Sequence, residues 1–533
     1  MTEPNSGGSQ PYTYPVPAGT AQTVPGEVSL SDDPQSPTPG GRRRPALLVG
    51  ALVAALALGG AGALAFQKLS GGGSQPAEVL PGDAYAYFRL DIDPSAGQKI
   101  AAVRFLGKLP QVKDTLDTDN PRKKLWDLAA KDAKNSCVSK FDFDKDIAPW
   151  LGDRVGVAVR PGGTKKDPNF AIALQVKDDG AAKDTLTRLF ACSKDGADVR
   201  MRGGYAIVTA PGAGDATLAA VDKGSLATNT TFTQDMAALG EQGVMSGWFD
   251  MGKGASEIQK LGGTAALGTL GDMGSMGSMT TAAGAKGRVA VAVRFQADYV
   301  ELAGAVRGAD GSMTAKGDGA ELASLPANTL AAINISGADQ MLKNGWPTLE
   351  KQLQGLGSAG TGSSDITGEI EQQLGMKLPD DLEILLGRSF TLAMPGQTFG
   401  SDMPTIGAKV LTSDAKRADE LVGRLLETAG APSGTLTHKA DGDKLFVATT
   451  PGYADDLQAG GKLGDTDAFK LAVGDVSRSN ATLFVDLDKV DDLVKGQVHG
   501  QAKSFLESLR AFGANASSTG SGEGTFTLRL VGD

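Results

Sequence analysis

Histidine, cysteine and aromatic side chains are scarce in this chain. It has two histidines, two cysteines and 5% aromatic residues among 533. Histidine is the commonest general base and metal ligand near neutral pH. The two present, His438 and His499, are far apart in sequence and read as surface residues. With so few His and Cys side chains, zinc clusters of the usual kind are excluded. Neither a Gly-x-Ser-x-Gly elbow nor a Gly-x-x-x-x-Gly-Lys-Ser/Thr phosphate loop occurs. A surplus of positive charge is also lacking. The net charge is -10, which repels phosphate backbones and argues against nucleic-acid partners.

Some patterns imitate functional motifs and fail on context. Gly355-Leu356-Gly357-Ser358-Ala359-Gly360 fits Gly-x-Gly-x-x-Gly. A dinucleotide site needs a strand before it and a helix after it. Here Thr348–Gln354 reads as helix and a Thr-Gly-Ser-Ser loop follows, so a flexible interhelix loop is expected. Asp142, Asp144, Asp146 and Asp153 imitate a calcium loop. Ile147 stands where that loop needs glycine, and Pro149 and Trp150 interrupt it. These acids read as strand-entry or helix-cap carboxylates. Met273, Met276 and Met279 sit in a Gly/Ser/Ala stretch that reads as a loop, although a methionine face can adapt to apolar ligands. No catalytic, cofactor-binding or metal-binding residue is assigned, and no cofactor is expected.

Pro45 to Phe66 is an uncharged apolar run of about the length that crosses a bilayer as a helix. Arg42, Arg43 and Arg44 precede it, which predicts a cytoplasmic N-terminus. The run is long for a signal peptide and starts late, so an uncleaved single-pass anchor in the cell membrane is expected. Residues 1–44 read as a disordered Pro/Gly/Ser-rich cytoplasmic tail. Residues 67–78 read as a flexible tether. The rest of the chain would be extracytoplasmic.

Cys137 and Cys192 lie beyond the apolar run. Outside the cytoplasm the simplest expectation is one disulfide, and the alternative is two buried thiols. Cys137 lies just past the predicted helix Pro121–Asn135 and Cys192 ends the predicted helix Ala181–Cys192, and these helix ends can meet if both cover one sheet. The second half has no cysteine for a matching bridge.

The second half repeats the first. Leu325-Pro326-Ala327-Asn328 parallels Leu80-Pro81-Gly82-Asp83. Leu386-Gly387-Arg388-Ser389-Phe390-Thr391-Leu392-Ala393 parallels Leu151-Gly152-Asp153-Arg154-Val155-Gly156-Val157-Ala158. Leu445–Gly452 parallels Tyr205–Gly212, and Leu483–Leu487 parallels Gly247–Met251. Repetition in constant order indicates duplication. Val289, Val291, Val293 and Phe295 alternate in one hairpin, and Phe526, Leu528 and Leu530 in another. Such alternation predicts sheets with one buried and one solvated face. The expected fold class is α+β: two tandem domains, 79–310 and 325–533, each an antiparallel-rich sheet covered by helices, behind a transmembrane helix.

Leu80-Pro81-x-Asp83-Ala84 running into Leu90-Asp91-Ile92-Asp93-Pro94-Ser95, then Asp146-Ile147-x-Pro149-Trp150-Leu151-Gly152-Asp153, resembles the actinobacterial family catalogued as domain of unknown function 3352. The resemblance implies a membrane-anchored envelope protein and carries no activity or catalytic residues. The functional expectation is a non-catalytic binding or scaffold module of the cell envelope. One alternative is a carrier of a lipid or other apolar envelope molecule. The other is an enzyme with an unfamiliar carboxylate site.

Overall fold

A computed structural model describes residues 74–533 apart from 93, 111–122, 124–125, 127–139, 164–168, 192–195, 261–285, 310–316, 318, 361–364, 398–403, 495–497 and 519–521. The first half contributes β1 Ala86–Asp91, β2 Leu151–Val159, β3 Phe170–Val176, β4 Asp198–Arg202, β5 Tyr205–Thr209, β6 Met245–Asp250, β7 Arg288–Phe295 and β8 Tyr299–Arg307. The second contributes β9 Thr329–Ser336, β10 Ser389–Pro395, β11 Gly407–Leu411, β12 Thr437–Asp441, β13 Lys444–Ala448, β14 Ala481–Asp486, β15 Leu509–Ser518 and β16 Gly524–Gly532.

All sixteen strands join one antiparallel sheet, ordered β12-β13-β11-β10-β9-β14-β15-β16-β8-β7-β6-β1-β2-β3-β5-β4. Read from either outer edge inward, the strands of each half follow the same relative order. The halves meet through β8 and β16, paired from Val306–Gly524 to Tyr299–Val531. This corrects the expected pair of separate domains: the backbone ladder continues unbroken from one half to the other. The edge strands that two separate sheets would have to protect are here paired with each other.

The helices that matter most for packing are α1 Pro76–Val79, α2 Ala96–Leu106, α3 Asp179–Ala191, α4 Gly214–Lys223, α5 Thr230–Leu239, α6 Ala338–Gly360, α7 Asp380–Leu386, α8 Ala415–Thr428, α9 Pro451–Ala459, α10 Asp467–Ala472, α11 Leu487–Val494 and α12 Gln501–Leu506. On one face, α1 and α5 cover Tyr87, Ala158, Trp248, Ala290 and Ala292. On that same face, α9 and α10 cover Ala393, Phe446, Ala448 and Phe484. The opposite face carries α3 over Ile172, Leu174 and Val208, and α8 over Val410 and Leu445. Helices therefore lie on both faces, where alternation alone suggested one solvated side.

Matching contacts recur in the two halves. Phe232 meets Trp248 with ring centroids 5.5 Å apart, and Phe469 meets Phe484 at 5.2 Å. The Leu80 carbonyl accepts from the Leu226 N–H, and the Leu325 carbonyl from the Leu463 N–H, both at 2.9 Å. This explains the Leu-Pro pair. The leucine is fully buried in both halves and its carbonyl ties the strand entry to a short turn. At the sheet edges, Arg200 of β4 binds Asp215 of α4, and Lys439 of β12 binds Asp455 of α9.

Three more expectations are settled or displaced. Residues 1–73, including 45–66, lie outside the described residues. Among the described residues no helix is long and apolar enough to cross a membrane, so the transmembrane helix is withdrawn from the fold class. The end of the supposed tether 67–78 is core: Pro76 and Ala77 are buried, and Pro76 packs where a β-carbon on Gly156 would stand. Gly355–Gly360 lies within α6 rather than in a loop.

Candidate binding sites

Among the described residues the sequence candidates do not converge on one site. Cys137 and Cys192 lie outside the described residues, as do Met273, Met276 and Met279. His499 is exposed. His438, on edge strand β12, has Nδ1 2.8 Å from Asp419 Oδ1 on α8. The four acids near the Pro-Trp turn have local tasks. Asp142 caps a single wide turn, Phe143–Ile147, by accepting the Lys145 N–H at 3.0 Å. Asp146 accepts the Asp142 N–H at 2.8 Å, and Asp144 pairs with Lys123. The Asp153 N–H donates to Gln175 Oε1 at 3.0 Å. Trp150 is buried and donates Nε1–H to the Asp146 carbonyl at 2.6 Å. Among the described residues no group of three or more His, Cys, Asp or Glu could hold a metal ion.

Three features remain. The first is a buried charged cluster on the helix face carrying α1. Asp91 accepts from Arg89 Nη2 at 2.5 Å and from Arg154 Nε at 3.0 Å. Arg154 Nη1 and the Tyr205 hydroxyl both donate to the Ser74 carbonyl, at 3.3 and 2.6 Å. Arg89 Nη1 reaches Gln242 Oε1 at 3.1 Å. Burial pushes the Tyr205 phenol up to about 12, so it acts as a donor at neutral pH. The segment leading into α1 thus closes over the cluster.

The second feature is an aliphatic row on the other face. Leu392, Ile333, Leu483, Ala514, Leu528, Leu302 and Val293 are successive cross-strand neighbours from β10 to β7. At about 4.8 Å per strand the row runs roughly 29 Å. Ile333 and Leu392 keep 39% and 40% of their surface exposed. These are large aliphatic side chains on interior strands of the sheet.

The third feature is a hollow of about 410 Å³ on the face carrying α10, lined by Asp475, Arg478, Ser479, Asn515, Ser517, Ser518, Thr525, Phe526 and Thr527. The β15–β16 register pairs Asn515 with Thr527 and Ser517 with Thr525, which brings these side chains onto one face. The wall is the loop after α10. Asn515 Nδ2 donates to the Asp475 carbonyl at 3.1 Å, and Ser479 Oγ to Asn515 Oδ1 at 2.7 Å. The Ser477 N–H and hydroxyl hold the Asp475 carboxyl below the usual carboxylate range. Sequence reading missed this site because its residues come from three segments. The one available signal was the threonines alternating with Phe526 and Leu528, which fit the solvated face expected there.

The fold and these features define a helix-flanked antiparallel-sheet protein with two open surfaces. Residues 47–237 match the family model described as a protein of unknown function, DUF3352. No curated protein and no solved structure matches the chain.

Proposed function

We propose that this chain is a non-catalytic binding or scaffold module of the cell envelope, and that the aliphatic row on the sheet is where its partner docks. The observation that carries the reading is the exposure of Ile333 and Leu392 in the interior of the sheet. Exposed contiguous apolar surface marks interaction sites. The row has no charged member, and its open end is at Leu392 and Ile333, while Val293 at the far end packs with the α2 cluster. An amphipathic helix laid apolar side down is the partner chemistry it fits.

A second reading takes an acyl chain of an envelope lipid along the same row, favoured by its purely aliphatic lining. It would be a surface site along the exposed Ile333 and Leu392. Photo-crosslinkers placed at positions 333 and 392 of the full chain in native envelopes separate the two. Crosslinks to a defined protein segment, lost in the Ile333→Asp/Leu392→Asp variant, support the main reading. Crosslinks to lipid alone would replace it with the second, and no specific adduct would remove both.

A further inference from the structure

The hollow on the opposite face has a counterpart in the first half, and the difference is informative. The strand registers place Ser517 where β7 has Arg294, Thr525 where β8 has Glu301, and Asn515 and Thr527 where Ala292 and Ala303 stand. In the first half the space is filled from within. Arg294 Nε donates to the Glu241 carbonyl at 2.6 Å, another of its nitrogens to the Leu239 carbonyl, and Nη1 to Glu301 at 3.3 Å. In the second half a serine replaces the arginine. The loop is held by Asn515 instead, and among the described residues a polar space is left open. The fold therefore does not require the hollow.

Its lining is close to charge balance. It has one carboxylate, Asp475, and one guanidinium, Arg478, three residues apart on the same loop, with an amide and several hydroxyls facing them. The Arg478 guanidinium and the Thr527 hydroxyl make no hydrogen bond within the described residues, so both are available to a ligand. A phosphate would call for several cations, and a metal ion or amine for several acids. A carboxylate that accepts and a guanidinium that donates, beside hydroxyls that do either, match a ligand whose own groups are hydroxyls. The volume falls within the ~300–1,000 Å³ typical of small-molecule sites. We propose that the hollow formed by β15, β16 and the 473–480 loop is a binding site for a neutral saccharide.

This inference is independent of the aliphatic row. Saturation-transfer NMR on the described fold in the full chain, with glucose, mannose, arabinose and N-acetylglucosamine as probes and inorganic phosphate as competitor, tests it. At least one sugar should show transfer that phosphate does not displace. Arg478→Gln/Thr527→Val should weaken that sugar by tenfold or more. Ser517→Arg, which restores the first half's filling, should abolish binding with the melting temperature retained. Ile333→Asp/Leu392→Asp should leave sugar binding unchanged. No transfer from any of the four sugars, undiminished transfer in both hollow variants, or displacement by phosphate would overturn the proposal.

Discussion

Arg89, Asp91 and Arg154 form a buried ionic cluster in the first half. At the matching strand positions the second half has Asn334, Ser336 and Ser389. Asn334 Nδ2 donates to Ser389 Oγ and Thr391 Oγ1, each at 2.8 Å, and Ser336 Oγ donates to Asn334 Oδ1 at 3.1 Å. Thr391 itself takes the place of Gly156, where α1 presses Pro76 onto the sheet. The same backbone thus tolerates a charged or a neutral interior at one place. Each set needs its hydrogen-bond partners, because an unpaired buried polar group is what costs stability. The strand order is held by the ladders and the aromatic pairs, and not by this choice.

That comparison can be broken most sharply at Asp91. Asp91→Ala leaves two buried guanidiniums without their shared carboxylate and should destabilise by about 3–5 kcal/mol. Ser336→Ala in the second half should cost about 1 kcal/mol. Urea unfolding of both variants decides; equal costs would mean that the charges are not what distinguishes the halves. The combined exchange Arg89→Asn/Asp91→Ser/Arg154→Ser should recover most of the loss.

The halves also differ in cysteine. Cys137 and Cys192 are proposed to form one disulfide that staples the first half alone. Closing a loop of about 56 residues should contribute roughly 4 kcal/mol in the chain-entropy model. Non-reducing peptide mapping should recover the linked pair. Two thiols that alkylate without reductant or denaturant would remove the bridge.

The junction is the next place to press. Gly304 of β8 faces Phe526 of β16, and a β-carbon on Gly304 would overlap the phenyl ring. The ring also packs beside Val289, Val291 and Val306 of the first half. Gly304→Ala should cost about 1–3 kcal/mol through overpacking, read as a lowered melting temperature. Gly304→Ala/Phe526→Leu should cost less than Gly304→Ala alone. Failure of that rescue would show that the strain lies in the backbone.

The smallest effect concerns an acid with a counterpart in each half. Asp146 accepts the Asp142 N–H, and Asp381 accepts the Lys377 N–H, both at 2.8 Å. Only Asp381 also binds an arginine closely, Arg417 Nη2 at 2.8 Å. Burial raises the Asp381 carboxyl, but the bonds from Arg417 and the Lys377 N–H outweigh it and leave it below 3.8. A carboxylate lowered in the fold stabilises above its unfolded value and loses that contribution as pH falls through the folded one. Asp381→Asn should therefore flatten the decline in stability below about pH 4. An unchanged acid limb would mean that other carboxylates set it.

Much of this was legible in residue order. Val293 and Phe295 pack beside α2 on one side of β7 while Ala290 and Ala292 face α5 on the other, and period two fixes a strand. The Leu-Pro pairs marked strand entries because a buried leucine and a ring without an N–H suit that corner. Local pattern also gave strand-entry or helix-cap roles for the acids near Asp142, which caps the turn Phe143–Ile147. What it could not reach was the joining of β8 to β16. Nothing in either strand states whether its free edge meets solvent or another strand 200 residues away, since backbone donors and acceptors are the same in every residue. The hollow and the aliphatic row share that origin. Ser517, Thr527 and Arg478 become neighbours only through strand register, and the exposure of Ile333 and Leu392 follows from where the helices pack. Sequence by itself determined which residues form strands and which sides are apolar; the tertiary pairing decided that two halves make one sheet, and which of its surfaces remain available.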